Sequence, residues 1–329
     1  MTDIEASASK RGVNWVDFGE RYGLVIAWVL VIIAFGILRP TTFLSWANFS
    51  TIFGSQAVLV VMALGLIVPL TAGDYDLSIA GNLTLSAMVI AVLNVYFDWP
   101  IAAAVLAAIA TGLVIGAINA FLVLYFRINS LIVTLGMGTF LHGITLWISN
   151  SNTISGIDFA ITNAVIVTRL FGIPLAFYYA LLVAAILWYV LTFTAPGQRL
   201  LFVGRGREVA RLSGIRVDQV RAVTFIVSGA MGGLAGVLAV GSLGAADPNS
   251  GLTYLLPAFA AAFLGATSIT PGRFNPIGSV IAVYFLVTGI TGLSILGIST
   301  FVQDLFYGGA LVVAVCLSQL VRGRQERLS

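Results

Sequence analysis

Three carboxylates stand where so apolar a chain has few reasons to keep them: Asp74 and Asp76 in Gly73-Asp-Tyr-Asp-Leu-Ser78, and Asp304 near the end. An ionisable group inside or beside an apolar helix is costly, so it marks a substrate, proton or ion-pair site until something simpler accounts for it. For Asp76 something simpler is at hand. Asp76 and Ser78 open an apolar run, and their side chains could cap its free amides, where the helix dipole also favours an acid. Asp74 has less excuse. Asp304 sits at one end of the last apolar run, where a carboxylate can reach water, bind substrate or relay a proton. The amides and hydroxyls of Gln56, Asn82, Asn119, Thr134, Thr267 and Gln303 could join these acids in lining a path for a neutral polyol, which needs acceptors for its hydroxyls. Each of them taken alone reads first as a helix–helix hydrogen bond. His142, the sole histidine, has no partners for a metal, and Cys316, the sole cysteine, reads as a small packing residue. The chain has no GxxxxGK[ST] phosphate loop, nucleophile–base pair or metal-ligand cluster, which argues against nucleotide binding and against an intramembrane enzyme.

The elements that must position these residues are apolar helices. Of 329 residues, 59% are hydrophobic and 9% charged, and the mean hydropathy is +1.05, far outside the range of soluble chains. Runs long enough to cross a hydrocarbon core about 30 Å thick recur from end to end. They lie at 23–38, 55–72, 77–97, 101–126, 130–148, 175–194, 219–241, 254–270, 276–294 and 298–320, which predicts an all-α polytopic membrane protein of about ten spans. A segment at 1–22 precedes this domain of 23–320, and a tail of 321–329 follows it. With the amino terminus in the cytoplasm, Lys10, Arg11, Arg21, Arg127, the Arg199 to Arg221 segment, Arg273 and the Arg322 to Arg327 tail all fall inside. Only Arg39 and Arg169 of the 16 basic residues then face outward, as the positive-inside rule requires, and both termini are cytoplasmic.

Two connections are long. Residues 149–174 carry Asn150, Asn152, Asn163, Asp158 and Arg169 and read as an external loop, whereas 195–221 concentrates six arginines against Glu208 and Asp218. Within the second, Gly204-Arg-Gly-Arg-Glu-Val-Ala-Arg-Leu-Ser-Gly-Ile215 predicts a short helix from Arg207 to Ser213, entered and left through glycines. Val209 and Leu212 share one face and Arg207 and Arg211 another, which suits either a loop that only fixes topology or a docking element for a cytoplasmic partner. Gly229, Gly232, Gly233 and Gly236 are spaced for close helix contact.

At Glu208, Ala210, Arg211, Leu212, Ser213, Gly214 and Ile215 the chain resembles the permease subunits of bacterial ATP-binding-cassette importers for ribose, xylose, galactose and related sugars. Gly73 to Ser78, Val133-Thr-Leu-Gly136, Ser228 to Gly236, Leu264 to Ser268 and Gly292 to Val315 are similar to further motifs of that family, so the likeness runs from about residue 50 to 320. Departures are Gly206 for a usual asparagine, Val209 for an alanine, His142 for a common arginine, and prolines at 271 and 276 in a usually glycine-rich run. The resemblance implies that 204–216, with Gly204, Arg207, Glu208, Ala210, Arg211, Leu212, Ser213 and Gly214, is a coupling helix seated on a separate ATP-hydrolysing subunit. ATP and magnesium would be bound there and not by this chain. It further implies an external solute-binding protein, a second permease copy, identical or similar, a bacterial inner-membrane location, and a monosaccharide cargo. Branched-chain amino acids or another small polar solute are the alternative cargo. A proton-coupled carrier titrating Asp74, Asp76 or Asp304 is the alternative of a different class. Nucleic acid is no expected partner.

Overall fold

From Ala57 to Leu70 the chain has no polar side chain on any face, and a helix apolar all round belongs in the centre of a bundle. The computed structural model, which describes the backbone of residues 15–299 and 301–328 and the side chains of 21–299 and 301–316, places it there, with every residue from Ala57 to Leu70 buried. In chain order the helices are α1 (Trp15–Leu38), α2 (Pro40–Phe43), α3 (Trp46–Ser55), α4 (Ala57–Thr71), α5 (Ile79–Ala91), α6 (Ile101–Tyr125), α7 (Ser130–Ser149) and α8 (Phe159–Thr162). They continue as α9 (Leu175–Phe193), α10 (Ala195–Arg205), α11 (Arg207–Leu212), α12 (Val217–Leu243), α13 (Leu252–Gly265), α14 (Pro276–Ile295) and α15 (Phe301–Leu328). π-Helical turns at Val92–Tyr96 and Asn163–Val167 extend α5 and α8, and two antiparallel strand pairs of two residues each complete the described elements, β1 (Ile154–Ser155) with β4 (Ala245–Ala246) and β2 (Arg169–Leu170) with β3 (Ile173–Pro174).

The protein is thus an all-α polytopic membrane protein. Among the described residues seven helices are long and apolar enough to span, and an eighth span forms if the bent pair α3–α4, which turns by 41°, counts as one. The apolar helices Leu252–Gly265 and Phe301–Cys316 are shorter and lie at the two remaining positions expected to span. With the bent pair counted as one, the span expected at 55–72 begins earlier, at Trp46. Asn48, Ser50, Thr51 and Ser55 interrupt the apolar run over its first half, and two of the hydroxyls find carbonyl acceptors, one local and one distant in the chain. Thr51 donates to the Ala47 carbonyl at 2.8 Å and Ser50 to the Gly172 carbonyl at 2.6 Å. The 195–221 connection also holds a second helix, α10, which starts where Thr194 Oγ1 accepts from the Gly197 amide and Pro196 occupies the first turn. Cys316 lies on an exposed face of α15. Lys10, Arg11 and the side chains of Arg322, Arg324 and Arg327 lie outside the described residues.

Helix α12 is wedged against α4, α5 and α6 by its glycines. A Cβ on Gly229 would strike the carbonyl of Gly112 and come within 2.9 Å of the Gly116 backbone, while one on Gly236 would meet the Leu83 carbonyl at 2.7 Å. Without side chains between them the backbones come together, and in lipid that close packing supplies much of the association energy. Gly229→Ala is therefore expected to lower stability by about 1–3 kcal/mol. Gly23→Ala, where a Cβ meets nothing within 4 Å, should change the thermal unfolding midpoint in detergent very little. Equal midpoints for the two variants would refute the wedge.

Candidate functional site

The connection between α4 and α5 is short and irregular, with Ala72, Asp74, Asp76 and Ser78 buried and Gly73 and Tyr75 exposed, and many of its polar contacts reach helices other than α4 and α5. Helix α4 ends at Thr71, with the Asp74 amide turning back to the Pro69 carbonyl at 3.0 Å and Gly73 in the left-handed region at φ +76°. Beyond it, the Tyr75 amide donates to Ser130 Oγ at 3.1 Å and the Leu77 amide to Thr134 Oγ1 at 3.0 Å, both on α7. Thr134 in turn donates to the Tyr75 carbonyl at 3.3 Å. Asn119 of α6 donates to Ser78 Oγ at 2.7 Å.

Asp74 is 3% exposed and is held by two arginines. Arg221 of α12 grips it as a fork, Nε to Oδ2 at 2.7 Å and Nη2 to Oδ1 at 2.8 Å. Such bidentate, charge-assisted pairs are among the strong hydrogen bonds, and here they offset the desolvation of both ions. Arg207, the first residue of α11, adds Nη2 at 3.0 Å from Asp74 Oδ1, and the same nitrogen lies 3.0 Å from the carbonyls of Ala72 and Gly73. A cation at the last carbonyls of α4 also meets the negative end of that helix dipole. Asp76 is bound quite differently. Its Oδ1 accepts from the Ser78 amide at 3.1 Å and from Ser78 Oγ at 2.6 Å, and its Oδ2 accepts from Ser228 Oγ of α12 at 2.6 Å. No basic side chain pairs with it among the described residues. Burial pushes its carboxyl above the ordinary carboxylate range, against the pull of the Ser228 and Ser78 donors. Asn119 Oδ1, also fully buried, has no partner among the described residues.

Of the residues read as a translocation path, the structure brings Asp74, Asp76, Asn119 and Thr134 together around this break. Asn82 is close by on α5, donating to the Gly229 carbonyl at 2.9 Å and accepting from Ser86 at 3.1 Å. Their polar atoms, Asn119 Oδ1 apart, are consumed by contacts inside the protein. The others lie elsewhere: Thr267 bonds its own turn at Leu264, Gln56 bonds Ser55 at the α3–α4 bend, and Gln303 and Asp304 sit in the first turn of α15. The capping reading of Asp76 and Ser78 does not hold: neither side chain binds an amide of α5, which starts at Ile79, and Asp76 instead accepts from the amide and hydroxyl of Ser78 just before it. Arg221, Ser228 and Ser130 are site residues that sequence reading did not single out. The signal available was an acid without a nearby base: Asp74 demanded a cation, and Arg221 stands inside the first turns of an apolar helix.

Helix α11 runs from Arg207 to Leu212, one residue shorter than expected, with Ser213 as its cap and Gly214 at φ +79°. One side of it is anchored, by Ala210 packed with Val203 and Val217. The other is open: Val209 is 59%, Glu208 82% and Leu212 88% exposed. Arg207, Glu208 and Arg211, together with Asp74, Arg127, Asp218 and Arg221, line a groove of 590 Å³ beside it. A charged rim round an exposed leucine and valine suits a protein partner.

The arrangement makes a sharp forecast for the two acids. Asp74→Asn leaves the 14%-exposed Arg221 side chain without its counter-ion and should cost on the order of 3 kcal/mol. Asp76→Asn keeps an oxygen acceptor, leaves no cation orphaned, and should cost less than about 1 kcal/mol. Thermal unfolding of the two variants in detergent checks the order, and a reversed order would refute the assignment of partners.

Comparison with known proteins points the same way as the geometry. The model of the family described as branched-chain amino acid transport system / permease component matches residues 48–315. The D-allose transport system permease protein of Escherichia coli K12 is 34% identical over 321 residues, covering 97% of this chain and 98% of that one. The ribose import permease protein of Bacillus subtilis 168 is 31% identical over 320 residues, 97% and 99% of the two chains. The galactose/methyl galactoside import permease protein of Salmonella typhimurium LT2 is 28% identical over 340 residues, 98% and 100%. No solved structure matches.

Proposed function

The chain belongs to the branched-chain amino acid transport system / permease component family, and from that premise we propose that it is the membrane subunit of an ATP-binding-cassette importer carrying a monosaccharide into a bacterial cell. The family's title speaks of amino acids, but the relatives that cover nearly the whole chain are named for D-allose, ribose and galactose or methyl galactoside, which supports a sugar over a branched-chain amino acid. The chain lies in the inner membrane with ten spans: the seven long helices, the bent pair α3–α4, α13 and the apolar part of α15. Both termini are cytoplasmic. That orientation puts the 72–78 connection, Arg127, α10, α11 and Arg273 on the cytoplasmic side, and β1, β4 and the 149–174 loop outside, where a solute-binding protein delivers cargo.

The observation that carries this reading is α11, a short helix outside the spans with Val209 and Leu212 exposed on one side and Arg207 and Ala210 fixed to the membrane helices on the other. It is the coupling element on which a separate ATP-hydrolysing subunit acts. ATP and magnesium bind to that subunit, and this chain performs no chemistry. Two permease copies enclose the path, and the partly exposed polar residues Thr267, Gln303 and Asp304 are the candidates to line it. Of the three acids a proton carrier would draw on, Asp74 is instead held in a fork by Arg221, which supports the importer reading.

The decisive experiment is purification of the tagged chain from its native membrane in mild detergent, then reconstitution with whatever accompanies it. An ATP-hydrolysing subunit should co-purify, and uptake of labelled allose, ribose or galactose should require ATP and the binding protein. A Glu208→Ala/Arg211→Ala double variant should remain folded in the membrane while uptake falls by about tenfold or more. Undiminished uptake by that variant would remove α11 from the coupling role, and proton-driven uptake by the chain alone would replace the importer with a carrier.

A further inference from the structure

Helix α11 is joined to the buried helices by two attachments of different kinds. One is apolar, the small cluster of Val203, Ala210 and Val217 with Ile215 and Val220 against it, and it links α11 only to its sequence neighbours α10 and α12. The other is a single side chain. Among the described residues Arg207 is the only member of α11 whose side chain bonds outside the 204–221 segment, and all three of its contacts fall on Ala72, Gly73 and Asp74. Just before it, Gly204 presses on the carbonyl of Thr71, so closely that a Cβ there would have no room. The end of α4, the most deeply buried helix, is therefore where this segment touches the centre of the bundle.

Asp74 does not need Arg207 for its burial. The fork from Arg221, itself 14% exposed, already supplies a counter-charge to both carboxylate oxygens. Arg207 is 38% exposed, reaches Asp74 through one nitrogen, and lines the groove shared with Arg127, Arg211 and Asp218, which leaves room for its guanidinium to depart. A partly solvated contact of that kind contributes little to stability. Its position gives it a different use. We infer that Arg207 is the positioning residue that carries displacement of α11 to the α4–α5 connection, a releasable tie working beside the fixed tie of Arg221. The inference rests on the proposed role of α11 as the element an ATP-driven subunit moves. Bonding to two main-chain carbonyls as well as the carboxylate makes the tie follow the backbone of α4, whatever the rotamer of Asp74.

The test compares wild type, Arg207→Ala, Arg207→Gln and Arg207→Lys in the complete transporter, with permease, ATP-hydrolysing subunit and binding protein reconstituted in liposomes. Three quantities are read: the amount of ATP-hydrolysing subunit that co-purifies, the thermal midpoint, and sugar transported per ATP hydrolysed. Arg207→Ala should keep the first two at wild-type values and lower the third about tenfold. Arg207→Lys should restore part of it, since an ammonium can reach the Ala72 and Gly73 carbonyls, and Arg207→Gln, a donor without charge, should fall between. Wild-type sugar per ATP in Arg207→Ala overturns the inference, as does loss of the co-purifying subunit from that variant, which would make Arg207 part of the docking surface instead. Wild type that brings down no ATP-hydrolysing subunit is a distinct result: it overturns the importer reading, and this inference with it.

Discussion

Polar groups buried in a helix bundle need partners, and the 72–78 connection is where the regular backbone ladder breaks against the core of this one. Seven residues there lack the regular i to i−4 ladder, yet they lie against the most buried helix of the protein. Side chains drawn from four elements answer: Ser130 and Thr134 of α7, Asn119 of α6, Arg221 and Ser228 of α12, and Arg207 of α11. Ser130, Thr134 and Arg207 meet main-chain groups of the break, Asn119, Arg221 and Ser228 meet the side chains of Ser78, Asp74 and Asp76, and each contact also fixes one element to another. This is why so many of the few polar residues of the chain converge on so small a volume.

The two acids of the break solve opposite electrostatic problems at a separation of two residues. Asp74 is stabilised as an anion by forked contact with a guanidinium, an arrangement whose Coulomb attraction must outweigh the desolvation of two charges. Asp76 meets only hydroxyl and amide donors, so burial acts on it nearly unopposed by any charge and raises its carboxyl. The consequence is a division of roles. Asp74 is a junction between charged elements and can respond when one of them moves, while Asp76 and its serines close α5 onto α12 with bonds internal to the bundle.

Much of the architecture was legible in the sequence because the forces that set it are local or compositional. Apolar run lengths located the helices to within a few residues for α5, α6, α7, α9 and α14, and two flanking glycines bounded α11. Where the reading slipped, a tertiary partner had rescued residues that look unsuitable on their own. Ser50 belongs in a helix because the Gly172 carbonyl, far away in the chain, takes its hydroxyl proton. Helix α10 was hidden because a segment with Pro196, Gly197 and two arginines reads as loop until Gly197, Leu200 and Val203 find a surface to bury against. The Asp74 site was half visible. Its acid demanded a partner, but the partner stood 147 residues away in the chain, and no periodicity within one segment records such a distance. Asp74 therefore read as lining a path, when its oxygens are occupied by arginines.

The glycines of α12 and the polar site are parts of one surface. Arg221 and Ser228 are seven residues apart, two helical turns, and so lie on the same face, and the glycine series from Gly229 to Gly236 carries the contact with α5 and α6 onward along the helix. The reach of a serine hydroxyl is short, so Ser228 can meet Asp76 at 2.6 Å only because the adjoining Gly229 and Gly232 let α12 approach the backbone of α6 and the side chain of Asn82. The same helix begins a few residues after α11 and ends at Gly244, directly before β4, whose partner β1 lies in the 149–174 loop. A helix of 27 residues is about 40 Å long and stiff on that scale. Its glycine series packs it closely against α5 and α6 between its α11 end and its β1–β4 end. One rigid element thus joins the face on which a partner would act to the face on which cargo would arrive, and the break at 72–78 is the point where that element is tied to the centre of the bundle.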